Sequence, residues 1–444
     1  MCGIYGSYRL RENEDALSDL YSFRYRGPDH SGYVQIDNVF LGNNRLAVID
    51  LDARSHQPLS TEEGRYYIVF NGEIYNYKEL KASLKAKGTT FSTDSDTEVV
   101  LKLFAAEGNA SFAKLSGMFA IAIYDQQEKI LTLARDHVGM KPLYYVHKKN
   151  EGFSFSSELK GLASSLHAHK ISAYSFALGS VLGYIPSPHT IFSDVYKLEK
   201  GTVLEYDLSR DKISFSKIEV TTVESAVKSD DELADVVEKA VVSHLVADAP
   251  VGLCFSGGTD SSLIAAILKK NEINLKSYSI VMTHKEEDAE YIERIGEELG
   301  LKPDILHFDV AEFDEGLLMV HERIDEPTID SSMIAMYMLA KQAGREVKVL
   351  LSGEGADEFF YGYERHKILR NYRLLKPGLV VRTILKAPIP SIYKRKILKV
   401  VAVVNRDGAL QYLLDTSKRP TIDGEWLTAI EVLLQSSDPL RFDE

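Results

Sequence analysis

The sequence predicts two folds in succession: an α+β domain of stacked sheets, then a doubly wound α/β domain. Three observations carry that reading. Residues 1–160 are rich in short β-type runs bounded by Gly, Asn and Asp, with few helical stretches between them. From residue 230 onward helical and β-type segments alternate, the pattern of a parallel sheet flanked by helices. At 444 residues the chain is long for one domain, and its 45% hydrophobic and 26% charged residues are those of a globular protein.

Taken in order, the β-type runs of the first half are residues 45–51, 66–70, 119–124, 129–134 and 142–146. Residues 78–87 and 97–107 instead place apolar side chains three and four apart, the repeat of an amphipathic helix. Residues 161–225 read as a connector that includes Tyr184-Ile185-Pro186-Ser187-Pro188. The second half predicts helix 232–246, strand 251–255, helix 261–270, strand 276–282, helix 287–300, strand 304–308, helix 332–343 and strand 347–351. No internal repeat is visible.

Composition excludes several classes. With 52 Lys+Arg against 65 Asp+Glu, the net charge of -13 argues against nucleic acid as a partner. Two cysteines in so long a chain exclude a disulfide framework and suit a reducing compartment. No apolar run reaches the roughly 18 residues of a membrane span; Lys399 interrupts even residues 397–404. Met1-Cys2-Gly3-Ile4-Tyr5 shows no basic stretch followed by an apolar one, so no secretory signal is read and a cytoplasmic location is expected.

Both cysteines sit in informative places. Cys254, within Val251-Gly252-Leu253-Cys254-Phe255, reads as a buried strand residue. Cys2 follows the initiator Met, and its small side chain permits Met removal. It is then either an incidental second residue or a nucleophile whose own α-amine is the base. A free amine has a pKa near ~8 and lies on the same residue as the thiol.

The strand at 251–255 ends in Ser256-Gly257-Gly258-Thr259-Asp260-Ser261-Ser262 and runs straight into a helix. The glycines let backbone approach a ligand, while hydroxyls and free N–H groups gather at the positive end of the helix dipole. That is an anion site suited to phosphate, with an ordinary capped turn as the plainer alternative. It lacks the Lys of a GxxxxGK[ST] loop. Asp260 fits such a site if Mg²⁺ bridges it to the phosphates. After the last strand comes Leu351-Ser352-Gly353-Glu354-Gly355-Ala356-Asp357-Glu358. Strand carboxyl ends in a doubly wound sheet line one crevice, which would set this loop facing the first. Asp357 is then a second Mg²⁺ ligand and Glu354 a base or an orienting group; the plainer alternative is a solvated turn.

On these motifs the chain resembles the glutamine-dependent asparagine synthetases, over roughly residues 2–365. Its first half is similar to a class II glutamine amidotransferase domain through Cys2-Gly3-Ile4, Arg26-Gly27-Pro28-Asp29, Arg45-Leu46-Ala47, Asn71-Gly72-Glu73-Ile74-Tyr75-Asn76 and Ser95-Asp96-Thr97-Glu98. Its second half is similar to the family's ATP-pyrophosphatase domain through residues 256–262 and 352–358. Between them, Arg135-Asp136-His137-Val138-Gly139-Met140-Lys141-Pro142-Leu143-Tyr144-Tyr145 and Ser156-Ser157-Glu158-Leu159-Lys160 also match. These motifs, in the family's order, are specific together.

The resemblance implies an αββα Ntn-hydrolase sandwich at 2–160, a connector at 161–225, a doubly wound ATP-pyrophosphatase domain at 226–365 and a helical tail at 366–444. It gives Cys2 attack on the side-chain amide of glutamine, releasing ammonia from a γ-glutamyl thioester. It gives Asn71 and the Gly72 N–H the oxyanion, Arg45 the α-carboxylate, and Asp96 with Glu73 the α-ammonium. ATP would lie on Ser256, Gly257, Gly258, Thr259, Asp260, Ser261, Ser262, Ser352 and Gly353, its adenine near Leu253, Ile280 and Val281. Asp260 and Asp357 would hold Mg²⁺, and Glu354 would accept the proton as ammonia attacks an acyl-adenylate. The implied acceptor is aspartate; a sugar acid or secondary-metabolite carboxylate on the same machinery is the alternative. A truncated glutaminase or binding subunit is a further one. Residues 256–262 speak against amidotransferases built on sugar-isomerase or phosphoribosyltransferase domains, and the implied ammonia tunnel cannot be read from sequence.

Three departures stand out. Thr259 replaces a usual Leu or Ile, and His137 a frequent second basic residue. Family members usually continue into a longer helical region with a Lys and an Arg for pyrophosphate, whereas this sequence stops at Phe442-Asp443-Glu444. Its last segment carries a basic stretch, 365–399, with eleven Lys/Arg and no Asp or Glu. That stretch reads as amphipathic helices, with a phosphate contact or a partner surface as alternatives. A short tail makes slow synthetase turnover the expectation, with a homodimer or a second polypeptide as partner.

Overall fold

The computed structural model describes residues 1–9, 13–166, 170–219, 227, 229–283, 285–328, 330, 332–363 and 366. Apart from His366, the expected tail at 366–444 lies outside them, as does the basic stretch at 365–399. The chain divides into two compact units. Of the described residues, one gathers those of 1–170, 187–325 and 332–352; the other gathers those of 171–186, 326–330 and 353–366.

The first unit begins with β1 (Gly3–Tyr8), α1 (Asn13–Tyr21), β2 (His30–Ile36), β3 (Val39–Arg45), β4 (Leu59–Ser60) and β5 (Tyr66–Ile74). Then come α2 (Tyr77–Ala86), α3 (Asp96–Glu107), β6 (Gly117–Asp125), β7 (Ile130–Arg135), β8 (Tyr144–Lys148) and β9 (Gly152–Ser156). The second unit holds α4 (Ala173–Leu182), after which β10 (Tyr196–Lys197), β11 (Thr202–Asp207) and β12 (Lys212–Lys217) return to the first. Two six-stranded antiparallel sheets result, ordered β10-β8-β9-β1-β3-β2 and β12-β11-β7-β6-β5-β4.

Strand β6 shows how the layers stack. Phe119, Ile121 and Ile123 pack toward α2 and α3, with Val99, Leu103 and Leu84. Ala120, Ala122 and Tyr124 face the other sheet, with Ile4, Leu41 and Phe155. Covered on both faces, the strand reads as a continuous apolar run instead of alternating. On the far side of the first sheet, Ala16 and Leu20 of α1 pack with Tyr5, Phe40 and Val146. The four layers are the expected αββα sandwich.

Two features differ from the sequence reading. Residues 46–51 are not a strand, because β3 stops at Arg45 and the next backbone groups bond to side chains. The Ala47 N–H donates to Asp29 at 2.8 Å and the Asp50 N–H to Asp248 at 2.7 Å. Residues 202–217, inside the expected connector, instead extend the second sheet. Val203 of β11 lies opposite Ala134 of β7, with Leu204 and Tyr206 buried. Pairing with a strand some seventy residues earlier leaves no local signal.

The second half follows the predicted alternation: α5 (Asp230–Ser243), β13 (Val251–Cys254), α6 (Thr259–Lys270), β14 (Lys276–Met282), α7 (Glu286–Leu299) and β15 (Asp304–Phe308). Beyond them lie α8 (Val310–Arg323), α9 (Ser332–Ala343), β16 (Val349–Leu351) and, in the second unit, α10 (Ala356–Phe360). The parallel sheet is ordered β15-β14-β13-β16. Leu253 and Val281 pack under α6 and α7 with Ile264 and Ile292, while Tyr278 packs with Leu339 and Ala343 of α9 on the opposite face. Strand order reverses between β13 and β16, where such sheets place their ligands. Helix α8 was not predicted. A capping box, Asp309 with Glu312, marks its start.

Candidate active site

Cys2 stands just before β1, and its Sγ accepts the Leu46 N–H at 3.4 Å. Burial pushes its thiol pKa up, opposed by the neighbouring α-amine and the Leu46 contact. That amine belongs to Met1, and burial lowers it to about 6. Cys2 and the amine both feel Glu73; Glu73 also feels Asp96, Lys141 and Arg45. The structure thus gathers Cys2, Arg45, Glu73 and Asp96 into one electrostatic neighbourhood. Arg26 and Lys141 join it without having been singled out, although both lie inside quoted motifs.

Local chemistry explains each position. Ser95 caps α3 by accepting the Glu98 N–H at 3.3 Å. Glu98 turns back to accept the Thr93 N–H at 2.7 Å. That leaves Asp96 in the first turn, accepting the Ile74 N–H at 3.0 Å. Burial holds both carboxyls, Glu73 and Asp96, above the usual range; repulsion from Asp96 raises Glu73 further, while N–H groups of Ile74 and Thr97 and the Arg45 charge oppose the rise at Asp96. Asp136 accepts the N–H groups of Val138, Gly139, Met140 and Lys141 at 2.6–3.1 Å, folding the loop that delivers Lys141, itself 5% exposed. Gly72 is required by packing: a Cβ there would lie 2.1 Å from the Met118 carbonyl.

Three buried polar atoms stand out. Asn71 is 0% exposed, yet neither its Nδ2 nor its Oδ1 has a partner, and Glu73 Oε2 has none either. Such groups are costly unless a ligand satisfies them. Arg45 is different. Its Nη1 donates to the Asp52 carbonyl at 3.1 Å and meets His56 Nδ1 at 3.0 Å, while Nη2 donates to the Ile49 and Asp50 carbonyls. The guanidinium organises the loop after β3, so gripping a carboxylate with its fork requires re-aiming it. His56, stacked on His30 at 3.7 Å, was missed because its ring is recruited by a side chain eleven residues away.

After β13, Ser261 Oγ ties the phosphate-type loop together. It accepts the Ser256 N–H at 3.2 Å and donates to the Gly258 carbonyl at 3.2 Å. Gly257 sits at φ +71°, and a Cβ there would lie 3.2 Å from the Tyr291 ring. Gly258 precedes α6, whose first turn carries Thr259, Asp260 and Ser262. Ser262 Oγ is buried with no partner. Leu253 and Val281 belong to the apolar core, so of the three residues expected near adenine only Ile280 keeps exposed surface. Ser352 follows β16, the neighbour of β13. Gly353, Glu354 and Asp357 fall in the second unit, where Gly355 at φ +92° turns the chain into α10 and Asp357 occupies its first turn. Among the described residues no three His, Cys, Asp or Glu cluster as a metal cage. No described helix is long and apolar enough to cross a membrane.

A family described as a glutamine amidotransferase domain matches residues 1–217, and one described as asparagine synthase matches residues 232–428. Asparagine synthetase [glutamine-hydrolyzing] 1 of Bacillus subtilis (strain 168) is 33% identical over 438 residues, covering 95% of this chain and 67% of that protein. Asparagine synthetase B of Escherichia coli (strain K12) is 31% identical over 385 residues, covering 82% and 65% respectively. The chain spans about two thirds of the length of these curated relatives.

Proposed function

The chain belongs to the glutamine-hydrolysing asparagine synthetase family, and from that premise we propose that it amidates aspartate with ammonia drawn from glutamine. It is a ligase of glutamine-dependent, ATP-driven amidation. The products on this reading are asparagine, glutamate, AMP and pyrophosphate.

One observation carries the glutamine half: buried Asn71 and the Oε2 of half-buried Glu73 have no polar partners, and the Glu73 charge is felt at Cys2. With Met1 removed, the Cys2 amine would take the proton of its own thiol. Burial lowers the pKa of the Met1 amine here, and the same burial would favour the neutral, proton-accepting form of an amine on Cys2. Cys2 Sγ then attacks the glutamine Cδ, and Asn71 Nδ2 with the Gly72 N–H holds the oxyanion. The amine passes the thiol proton to the leaving nitrogen as the intermediate collapses to the thioester and ammonia, and water later cleaves the thioester to glutamate. Glu73 and Asp96, both disfavoured as bare anions, gain from the α-ammonium group.

In the second half, the N–H groups at the start of α6 and Ser262 Oγ would bind phosphate. Asp260 is a hard oxygen donor that suits Mg²⁺ completed by phosphate oxygens and water, with Asp357 as the second carboxylate; bound there, the ion would neutralise charge on the leaving pyrophosphate. The acceptor carboxylate attacks the α-phosphorus, pyrophosphate leaves, and ammonia displaces AMP while Glu354 takes the proton. The test is an acceptor screen that follows pyrophosphate release with ammonium, ATP and aspartate or a panel of sugar acids. Aspartate alone should support release; a sugar acid in its place sinks the asparagine assignment but not the amidation.

A further inference from the structure

Two motifs have no task in that reaction: Arg26-Gly27-Pro28-Asp29 and Ser156-Ser157-Glu158-Leu159-Lys160. In the fold they meet. Arg26 Nε donates to the Cys2 carbonyl at 3.0 Å, and its Nη1 lies 3.0 Å from Glu158 Oε1. The other Glu158 oxygen accepts the Tyr25 hydroxyl. Lys160 Nζ reaches that hydroxyl at 2.9 Å and sits 3.4 Å from both Glu158 Oε2 and Asp325 Oδ1. The Leu159 N–H donates to Asp325 Oδ2 at 2.6 Å, and the Arg323 guanidinium covers the Tyr25 ring at 4.0 Å. Arg323 ends α8 of the parallel-sheet half.

On the other flank, Asp29 Oδ2 accepts the Ala47 N–H at 2.8 Å and Lys348 Nζ at 2.6 Å. Lys348 immediately precedes β16, and its own N–H donates to the Pro250 carbonyl, just before β13. Ala47 adjoins Leu46, whose N–H reaches Cys2 Sγ. The Glu158 and Asp325 side chains are only 9% and 11% exposed, so solvent and salt screen these charges little.

We propose that the ion pairs Lys160–Asp325 and Lys348–Asp29 are two struts of one bracket, which fixes the segment holding Cys2 to the parallel-sheet half and keeps glutamine cleavage in step with ATP cleavage. The coupling clause rests on the function proposed above. Lys160, Asp325 and Lys348 are positioning residues, since they act on Cys2 only through Arg26 and through Asp29 with the 45–47 backbone.

The test uses the full chain with Lys160→Met, Asp325→Asn or Lys348→Met, and Lys160→Arg as the conservative control. Ammonium-driven pyrophosphate release should stay within about twofold of the parent, as for sites that do not share contacts. Glutamate formed per pyrophosphate should rise about fivefold or more, and Cys2 should be alkylated by iodoacetamide faster by a similar factor. Lys160→Arg should restore both. If either readout is unchanged in all the variants that fold, the bracket is overturned. A parent chain that neither hydrolyses glutamine nor releases pyrophosphate would remove the functional reading instead. Alkylation, which needs no turnover, would then decide the bracket alone.

Discussion

At the scale of single residues, the Cys2 pocket sets charge against burial. Cys2→Ala should abolish glutamine hydrolysis while ammonium-driven pyrophosphate release survives; loss of both would contradict two separate chemistries. Asp96 yields a subtler expectation. Burial holds its folded pKa above the unfolded value, so its ionised form destabilises the glutamine-free protein. That penalty is absent below the unfolded pKa, near ~4, grows as pH rises through the folded pKa, and is complete above it. Asp96→Asn should therefore stabilise the free protein at pH 7–8 by about 1 kcal/mol or more, with the gain vanishing near pH ~4. The same change should raise the KM for glutamine about 10²-fold, because the α-ammonium loses its carboxylate. Urea titrations across pH, paired with glutaminase kinetics, check both halves. A variant no more stable than the parent at pH 8 would mean that burial does not tax this carboxylate.

Among the elements, the turn from β13 into α6 is the most constrained. Gly257 adopts φ +71° with the Tyr291 ring against it. Gly257→Ala should cost about 1–2 kcal/mol of local strain and depress ATP-dependent pyrophosphate release more than glutamine hydrolysis. Equal losses in the two activities would point to general unfolding instead. Asp260→Asn or Asp357→Asn should remove Mg²⁺-dependent pyrophosphate release and leave glutaminase activity intact. If both variants release pyrophosphate normally, the metal lies elsewhere. These expectations separate because the loop at 256–262 and the Cys2 pocket are built on different sheets.

For the whole molecule, the decisive fact is that antiparallel and parallel sheets share one compact unit. Val246, Ala247 and Val349 of the second half pack on the core beneath α2 and α3, and Tyr75 lies 4.2 Å from the His244 ring. A ligand that binds only the folded state stabilises whatever unfolds with its site, by about 2.7 kcal/mol at a hundredfold excess over Kd. Glutamine added to the Cys2→Ala chain should therefore slow hydrogen exchange in β13 and β14 as well as in β1 and β5. Protection confined to the first 217 residues would show that the two halves open independently.

The sequence by itself determined most elements and supplied the motif residues from which both proposed sites are drawn. Hydrophobic period, capping residues and glycines act within a few residues of one another, which is why α3, α6, β14 and the loop at 256–262 were legible. What it left open depends on which distant segments pair. The end of β3 at Arg45 and the place of β11 beside β7 follow from partners absent in the local pattern. The Asp29–Lys348 bond joins residues 319 positions apart. A one-residue shift of β11 against β7 would turn Val203 and its neighbours to the opposite face. Only the packed tertiary structure fixes that register, because long-range contacts must repay the entropy of closing the chain between them.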